Sequence, residues 1–402
     1  MKRLVYRIYD KFTFNQVKYL KTFLKLDNLT GESLLKYQLQ KIKKCTRDHG
    51  LNVDSWEEFY KLPITTKQDL PDNKPVTKKY KKHETSGSTG EPRKIYVPEE
   101  TWYRKDAIFT RSWMKMGRKN QWVFRLIAGE PSYAFYDWWR NVKPMNYRNV
   151  GKEHVDWVVK NKPYLIHGPG GAIRQLCELI LEAGHGDVLK EIKIHWCSES
   201  SSGHKERLQP LVKEFHEQYG LAEMPTVAAT DGLGNLKVVG EKCFVEILDD
   251  NGNKVEDGQE GYIVVTDFNN NITPIIRYKS GDRGKLKLHE GGYYVLYDII
   301  GRGVDYYNGP EVKRAVGWWV VSPISHTLGD LIDQWRVEIH PKRQELVLHF
   351  KGSAEATNLK FNEYADWVKE NLGLNTSVIK SEEKLDYKIY WKNKLVKVVI
   401  DE

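Results

Sequence analysis

The chain has 402 residues, of which 40% are hydrophobic and 29% are charged, an ordinary composition for a soluble globular protein. This length allows two or three domains with a large core. The net charge of +9 favours anionic ligands, but acidic and basic residues are interspersed, so the charge alone does not indicate a nucleic-acid-binding protein. Four widely spaced cysteines argue against a disulfide scaffold or a structural zinc site and fit a reducing compartment: Cys45, Cys177, Cys197 and Cys243.

The sequence shows neither of the apolar segments that direct a chain to membranes. The opening MKRLVYRIYDKF lacks the apolar core of a signal peptide. No run approaches the ~20 apolar residues that a membrane-spanning helix needs. We therefore expect a cytoplasmic protein without a membrane span.

Apolar spacing predicts helices over residues 1 to about 60, followed by a proline-punctuated loop. Beyond residue 93, strands are predicted for RKIYVPE, QWVFRLIAG, NKPYLIHG and EIKIHWCSES. Helices are predicted for TWYRKDAIFTRSWMKMG, for GGAIRQLCELILEAG with Gly184 as its stop, and for GHKERLQPLVKEFHEQYG. This alternation predicts an α/β fold with a mainly parallel sheet.

From about Lys237 the pattern becomes rich in strands, beginning with a hairpin around DDNGN. We expect a β-rich subdomain over about 237–301 within an N-terminal domain of residues 1–301. Residues 302–402 show a β–β–α–β series, with strands at WRVEIH, ELVLHF and DYKIYW and a helix at FNEYADWVKENLG, long enough for a small α+β domain. The segment Gly301-Arg302-Gly303 is a candidate hinge between the two domains.

Residues 85–90 combine four hydroxyl side chains with two glycines, and Arg93 and Lys94 follow shortly after. Glycine lets the backbone approach a ligand closely, and the exposed amides and hydroxyls make a nest for phosphate oxygens. The spacing is not that of a Walker A loop. A solvated Ser/Gly turn between two strands is the alternative interpretation.

Four motifs occur in one order along the chain: TSGSTGEPRK, QYGLAE at 218–223, PIIRYKSGD at 274–282 and GRGVD at 301–305. In this order they resemble the ANL superfamily of adenylate-forming enzymes. LPITTKQDL and HGPGGAIRQLCEL are similar to the phenylacetate–CoA-ligase-like branch, including its capsule-biosynthesis-type (CapK-like) members. The resemblance runs from about residue 60 to the C-terminus and thins after about 330.

The resemblance implies an ATP- and Mg²⁺-dependent acid–thiol or acid–amine ligase with a mobile C-terminal lid. Such an enzyme adenylates a carboxylic acid, releases pyrophosphate, and passes the acyl group to CoA or to an amine or hydroxyl acceptor. Transfer of AMP to a hydroxyl is one alternative. A basic nucleic-acid-binding protein with a degenerate nucleotide fold is another, although no RNP, KH or zinc-finger signature supports a nucleic-acid partner.

Residue roles follow from the same resemblance. Tyr219, with Gly220 beside it, lies where the family stacks a ring on adenine. Glu223 matches the acid that helps to hold Mg²⁺, and Asp282 matches the carboxylate that takes the ribose hydroxyls. The residues that match the family's phosphate-binding loop are Thr85, Ser86, Gly87, Ser88, Thr89, Gly90 and Arg93.

Further matches lie around the predicted pocket and in the lid. Ser198 and Glu199 lie in the stretch that edges the adenine and acyl pocket, and Arg302 matches the arginine near ribose and hinge. Lys394 is the candidate for the lysine that bridges carboxylate and α-phosphate. Two anions must approach each other in adenylation, so a cation delivered by a closing lid would neutralise the developing charge.

The chain departs from the family pattern at three positions. Ala222 replaces the usual hydroxyl residue before the glutamate, Val304 replaces the usual hinge acid, and Asn393 replaces the glycine before the lid lysine. Aromatic residues in 130–140 and the segment 167–172 suggest a pocket for an aryl or otherwise flat acid. His195, alone in a strand, is expected to be a packed, hydrogen-bonded core residue.

Overall fold

The structure is a computed structural model that describes residues 10–71, 80–84, 94–128, 140–147, 150–198, 201, 205–300, 306–307, 315–316, 328, 332–352, 358–381 and 396–399. The chain divides into two compact units. The first unit comprises Met1–Ser201 and Lys205–Ile299, and the second unit consists mainly of Ile300–Glu402.

The chain begins with the predicted helical segment, which forms α1 (Asp10–Leu26), α2 (Gly31–Asp48) and α3 (Trp56–Lys61). Ser55 caps α3 by accepting a hydrogen bond from the backbone N–H of Glu58 at 3.2 Å. The prediction of helices here is confirmed. None of the helices in the described ranges is long and apolar enough to cross a membrane.

The first unit is built on an 11-stranded sheet. Its strands are β3 (Val123–Ile127), β4 (Val142–Asn146), β5 (Leu165–Pro169), β6 (Lys193–Cys197), β7 (Glu214–Tyr219), β8 (Ala228–Thr230), β9 (Leu236–Val238), β10 (Cys243–Leu248), β11 (Glu260–Asp267), β12 (Tyr278–Leu288) and β13 (Tyr294–Ile300). The strand order is β10-β11-β12-β13-β9-β8-β7-β6-β5-β3-β4. The pairs from β4 to β7 are all parallel, and β7 pairs with β8 antiparallel. Before the large sheet, β1 (Tyr80–Glu84) and β2 (Lys94–Pro98) form a separate antiparallel pair.

Helices connect the parallel strands, as the sequence pattern predicts. Helix α4 (Glu100–Lys115) precedes β3, and the helices between parallel strands are α5 (Lys152–Asn161), α6 (Gly170–Glu182) and the short α7 (Gly186–Leu189) and α8 (Lys205–Leu208). Helix α6 ends just before Gly184, which adopts a φ of +78°. The α/β fold class is therefore confirmed, with a large mixed sheet and a smaller C-terminal sheet.

One predicted helix is wrong over most of its length. The described part of GHKERLQPLVKEFHEQYG, from Lys205 onward, forms the four-residue α8 and a short 3₁₀ turn, and residues 214–219 then form β7. This strand is hydrogen-bonded to β6 on one side and to β8 on the other. Pairing with two neighbours overrides the local helical spacing, because a strand in the middle of a sheet satisfies its backbone groups on both edges.

The β-rich stretch after Lys237 continues the large sheet. Strands β10 and β11 form the predicted hairpin, and Asp249 Oδ1 accepts hydrogen bonds from the backbone N–H groups of Asn251 and Asn253 at 2.9 and 2.8 Å. Asx turns of this kind explain the DDNGN signal. The core beneath these strands contains buried Met224, Val227, Val245, Ile263 and Tyr278, among others.

The second unit has its own core and a four-stranded sheet in the order β18-β17-β16-β19. Its elements are a short pair β14 (Tyr306–Tyr307) and β15 (Ala315–Val316), then β16 (Ile332–His340), β17 (Glu345–Gly352), α9 (Asn358–Leu372), β18 (Asn375–Lys380) and β19 (Val396–Val398). The strands predicted at WRVEIH and ELVLHF and the helix at FNEYADWVKENLG are confirmed. The strand predicted at DYKIYW lies outside the described residues, and β18 is a strand that the sequence pattern did not indicate.

Candidate active site

The candidate site lies at the carboxyl ends of the neighbouring strands β6 and β7. Parallel strands end at the same edge, and open α/β sheets bind ligands outside these carboxyl ends. Strand β6 ends at Cys197, and the next residue, Ser198, has a φ of +71° in the left-handed region. Strand β7 ends at Tyr219. Two sequence-predicted site residues, Ser198 and Tyr219, are thus placed at one sheet edge by neighbouring strands.

Tyr219 contacts a residue from the next motif along the chain. Its hydroxyl donates a hydrogen bond to Oδ2 of Asp282 at 2.7 Å. Burial, and then the negative charge of Asp282, raise the pKa of Tyr219 well above its usual range, so the hydroxyl keeps its proton and remains a donor. The backbone N–H of Asp282 donates to Ser280 Oγ at 3.1 Å. Gly281 between them has a φ of +86°, a conformation that favours glycine in the S-G-D motif.

Glu223 is held by a tight loop that follows β7. The Leu221 N–H donates to the Met224 carbonyl at 3.1 Å, and the Val227 N–H donates to the Tyr219 carbonyl at 2.8 Å. A Cβ on Gly220 would lie 2.6 Å from the backbone nitrogen of Thr226, so this loop has no room for a side chain there. Glycine at position 220 is therefore required by the close packing of this loop.

The loop buries the Glu223 carboxylate beside β12. Glu223 is only 3% exposed, and its Oε1 accepts a hydrogen bond from the Tyr278 hydroxyl at 2.9 Å. The helix predicted for GHKERLQPLVKEFHEQYG would put this acid just after a helix end, which is wrong, because the element before it is strand β7. The acid itself still lies close to the S-G-D strand.

Two residues that support the site were not predicted, Tyr278 and Ser280. They precede Asp282 at intervals of two, and alternate residues of a strand share a face. The period-two spacing of Tyr278, Ser280 and Asp282 in Y-K-S-G-D could have identified the first two as site residues. The predicted LPITT segment holds the backbone of the same strand, because Thr65 N–H donates to the Arg277 carbonyl at 3.0 Å and Lys279 N–H donates to the Thr65 carbonyl at 2.8 Å.

The Glu223 carboxylate suits a hard cation whose other ligands are substrate phosphates and water. Mg²⁺ is commonly held by one or two carboxylates together with substrate phosphates and water. Glu223 supplies one such carboxylate, and in the described part of the chain only Tyr278 donates to it. Among the described residues, no group of three or more His, Cys, Asp or Glu side chains could hold a metal by itself. The arrangement fits Mg²⁺ that arrives with a nucleotide.

Several predicted site residues lie outside the described residues: Thr85, Ser86, Gly87, Ser88, Thr89, Gly90, Arg93, Glu199, Arg302 and Lys394. The strands on either side of the glycine-rich segment are nevertheless described. Glu84 at the end of β1 is the register partner of Lys94 at the start of β2. The two ends of that segment are therefore held side by side by a hairpin.

A row of polar side chains crosses the parallel half of the sheet near the site. Arg125, His167, His195 and His216 are register partners on β3, β5, β6 and β7. Trp113 Nε1 donates to His195 Nδ1 at 3.2 Å, and His167 Nδ1 lies 3.0 Å from the same nitrogen. The expectation that His195 is a packed, hydrogen-bonded core residue is confirmed.

Both central histidines are uncharged at neutral pH. Burial lowers the pKa of His195 to about 3, and the neighbouring His216 adds to the shift. Burial also lowers the pKa of His167 well below its usual range, with further contributions from His195, Arg125 and Lys105. His167 and His195 therefore add polar atoms but no imidazolium charge to this part of the core.

Comparison with solved structures identifies chains of the same fold. A crystal structure of 2-hydroxyisobutyryl-CoA ligase in the postadenylation state with 2-HIB-AMP is 18% identical, with a TM-score of 0.62 over 92% of this chain and 89% of that chain. The same ligase with 2-HIB-AMP and CoA in the thioesterification state is 18% identical, with a TM-score of 0.57 over 91% and 89%.

An open conformation of that ligase, with the same two ligands, is 19% identical, with a TM-score of 0.55 over 92% of this chain and 91% of that chain. No protein-family model and no curated protein matches the sequence. The solved structures therefore show that this chain shares the fold of 2-hydroxyisobutyryl-CoA ligase.

Proposed function

We propose that the protein activates a carboxylic acid with ATP and Mg²⁺ as an acyl-adenylate, releases pyrophosphate, and transfers the acyl group to CoA or to an amine or hydroxyl acceptor. The observation that carries the proposal is the 2.7 Å contact between Tyr219 and Asp282 at the carboxyl end of β7. It joins two motifs that the resemblance assigns to the same nucleoside. The likeness in fold to a ligase solved with an acyl-adenylate and CoA supports it.

The described residues suggest how the nucleotide would bind. The ring of Tyr219 would stack on adenine, and the Asp282 carboxylate would accept hydrogen bonds from the ribose hydroxyls. Glu223 would hold Mg²⁺, which when bound neutralises charge on the phosphate oxygens. Asp282 can take this role while paired with Tyr219, because a carboxylate has several acceptor positions on its two oxygens.

The remaining roles rest on the motifs. Residues 85–90 and Arg93 would hold the β- and γ-phosphates, Ser198 and Glu199 would border the acyl pocket, and Arg302 would lie near the ribose. Residues 302–402 would form a lid that brings Lys394 to the reacting carboxylate and α-phosphate. The same motifs support a place in the phenylacetate–CoA-ligase-like branch, and the four widely spaced cysteines fit the reducing cytoplasm.

Carboxylate-dependent exchange of labelled pyrophosphate into ATP tests the proposal directly. Exchange with one class among aromatic, aliphatic and amino acids would establish adenylation. ATP binding without exchange for any acid would contradict it. In that case the fate of AMP separates the alternative, since AMP attached covalently to a hydroxyl product indicates nucleotidyl transfer.

A further inference from the structure

A second group of charged residues lies where the order of the parallel strands reverses. The chain passes from β3 outward to β4 and then returns to the other side of β3 as β5. The helices that connect such strands diverge at this point and leave a crevice outside the carboxyl ends. Arg125 on β3 and His167 on β5 are register partners at this reversal.

Helix α4 lies over this pair and presents one stripe of side chains to it. Lys105, Phe109 and Trp113 are spaced four residues apart, so they share a helix face. The Phe109 ring centroid is 4.6 Å from that of His167, and Trp113 donates to His195. Lys105 is the outermost member of the stripe. Its Nζ lies 4.5 Å from the Trp102 ring centroid and 5.4 Å from that of Phe109.

The charges around this stripe do not balance. Arg125 pairs with Asp106 Oδ1 at 3.2 Å, and Gln16 donates to Asp106 Oδ2 at 2.8 Å, so both oxygens of this carboxylate are already engaged. Within the described ranges, Lys105 has ring contacts but no ion-pair partner. Because both central histidines are neutral, one positive charge is left over among the residues that the structure describes here.

The positive charge of Lys105 is energetically unfavourable in a half-buried position. Lys105 is half-buried, and burial, followed by the nearby Arg125, lowers its pKa, while Asp106 and Cys197 oppose the shift. A bound anion would restore the favourable environment of the ammonium group. Geometry places Lys105 on the side of the predicted acyl pocket: its Nζ lies 5.4 Å from the Phe109 ring centroid, and that ring lies 4.6 Å from His167 on β5. Strand β5 pairs with β6, and Ser198 directly follows β6.

We propose that Lys105 binds a second anionic group of the acid substrate, which makes the substrate a dicarboxylic or similarly dianionic acid. This inference rests on the proposed adenylation function. The rings of Trp102 and Phe109 flank the ammonium group and would lie beside the body of the acid. One carboxylate would be activated by ATP, and the other would pair with Lys105.

Matched acids test the inference through pyrophosphate exchange. The probes are 4-carboxyphenylacetate against phenylacetate, and succinate against butyrate, since each pair differs in one carboxylate. The wild-type protein should prefer a diacid. Lys105→Met should lower kcat/KM for that diacid by about 10- to 150-fold, the range for losing a charged hydrogen bond, mainly through KM. Exchange with the matching monoacid should be unchanged or improved.

Two further variants separate charge from packing. Lys105→Arg keeps the cation and should retain most of the diacid preference, and Lys160→Met removes an exposed lysine on α5 and should change neither acid. A wild-type preference for monoacids, or an equal loss for both acids in Lys105→Met, would overturn the inference while leaving adenylation established. No exchange with any acid would refute the proposed function and this inference together. The wild-type preference decides the question even if a variant fails to fold.

Discussion

The Tyr219 hydroxyl and the Asp282 carboxylate form a 2.7 Å hydrogen bond between residues that lie 63 positions apart in the chain. Tyr219 is the last residue of β7, the last parallel strand of the large sheet, and Asp282 lies on β12 in its antiparallel half. The contact therefore joins both halves of the sheet at the candidate nucleotide site. Tyr219 therefore has two separable roles: its ring can stack on a ligand, and its hydroxyl donates a hydrogen bond to Asp282.

Substitution of Tyr219 by Phe and by Ala tests these two roles. Tyr219→Phe keeps the ring and loses one hydrogen bond, so ATP affinity should fall by less than about tenfold. Tyr219→Ala removes the stacking surface and should cost about 1–3 kcal/mol of binding free energy. Calorimetric titration with ATP measures both. Equal losses in the two variants would show that the ring does not contact adenine.

Lys394→Ala tests the lysine assigned to the lid. Loss of a cation that acts only in the transition state should lower pyrophosphate exchange by more than about 100-fold while ATP affinity changes little. Lys392→Ala, two residues earlier, is the matched control and should retain exchange. If Lys394→Ala exchanges at the wild-type rate, that lysine has no part in adenylation.

The buried ion pair between Arg277 and Glu246 should dominate the stability of the region beside β12. Arg277 donates to both oxygens of Glu246 at 2.9 and 3.1 Å, and to the carbonyls of Tyr60 and Leu62 at 2.6 and 2.7 Å. Burial raises the pKa of Glu246 even with this partner in place. Arg277→Met should therefore destabilise the protein by about 3–5 kcal/mol, because an unpaired carboxylate stays buried.

Urea denaturation measures this loss, with Lys61→Ala as the control. Lys61 pairs with Glu57 at 2.6 Å on the exposed surface of α3. Its loss should cost less than about 0.5 kcal/mol, because exposed pairs four residues apart on a helix contribute little. Similar losses for the two variants would show that the buried pair adds no special stability.

His195 should make the stability depend on pH below neutrality. Its pKa is about 3 in the folded protein and about 6.5 when unfolded, so the unfolded chain binds the extra proton first. The stabilisation is complete above about pH 6.5 and is lost as the pH falls toward 3. Between pH 7 and 5 this one group should cost about 2 kcal/mol of unfolding free energy.

His195→Asn keeps an acceptor for Trp113 and removes the titrating ring. The drop in unfolding free energy from pH 7 to pH 5, measured by urea denaturation, should be smaller in this variant by that amount. An identical drop in both proteins would show that His195 takes up no proton on unfolding in this range.

Periodicity and motif order were sufficient for much of the architecture. Alternating helices and strands predicted the α/β class, which the structure confirms, and 2-hydroxyisobutyryl-CoA ligase has the same fold. Local patterns failed where pairing decided the outcome. Residues 214–219 have helical spacing but form β7, because β6 and β8 supply hydrogen bonds on both edges.

The sequence by itself determined most of the elements, the α/β class and the chemical types at the candidate site, because hydrophobic period, turn residues and motif spacing are local properties of a chain. Only the tertiary structure decided which distant residues meet. Sheet register brought Tyr219 to Asp282, Tyr278 to Glu223, and Arg125 into line with three histidines. Helix packing then placed Lys105 over that row without a compensating charge among the described residues. Register and packing depend on contacts between distant segments, which no local pattern encodes.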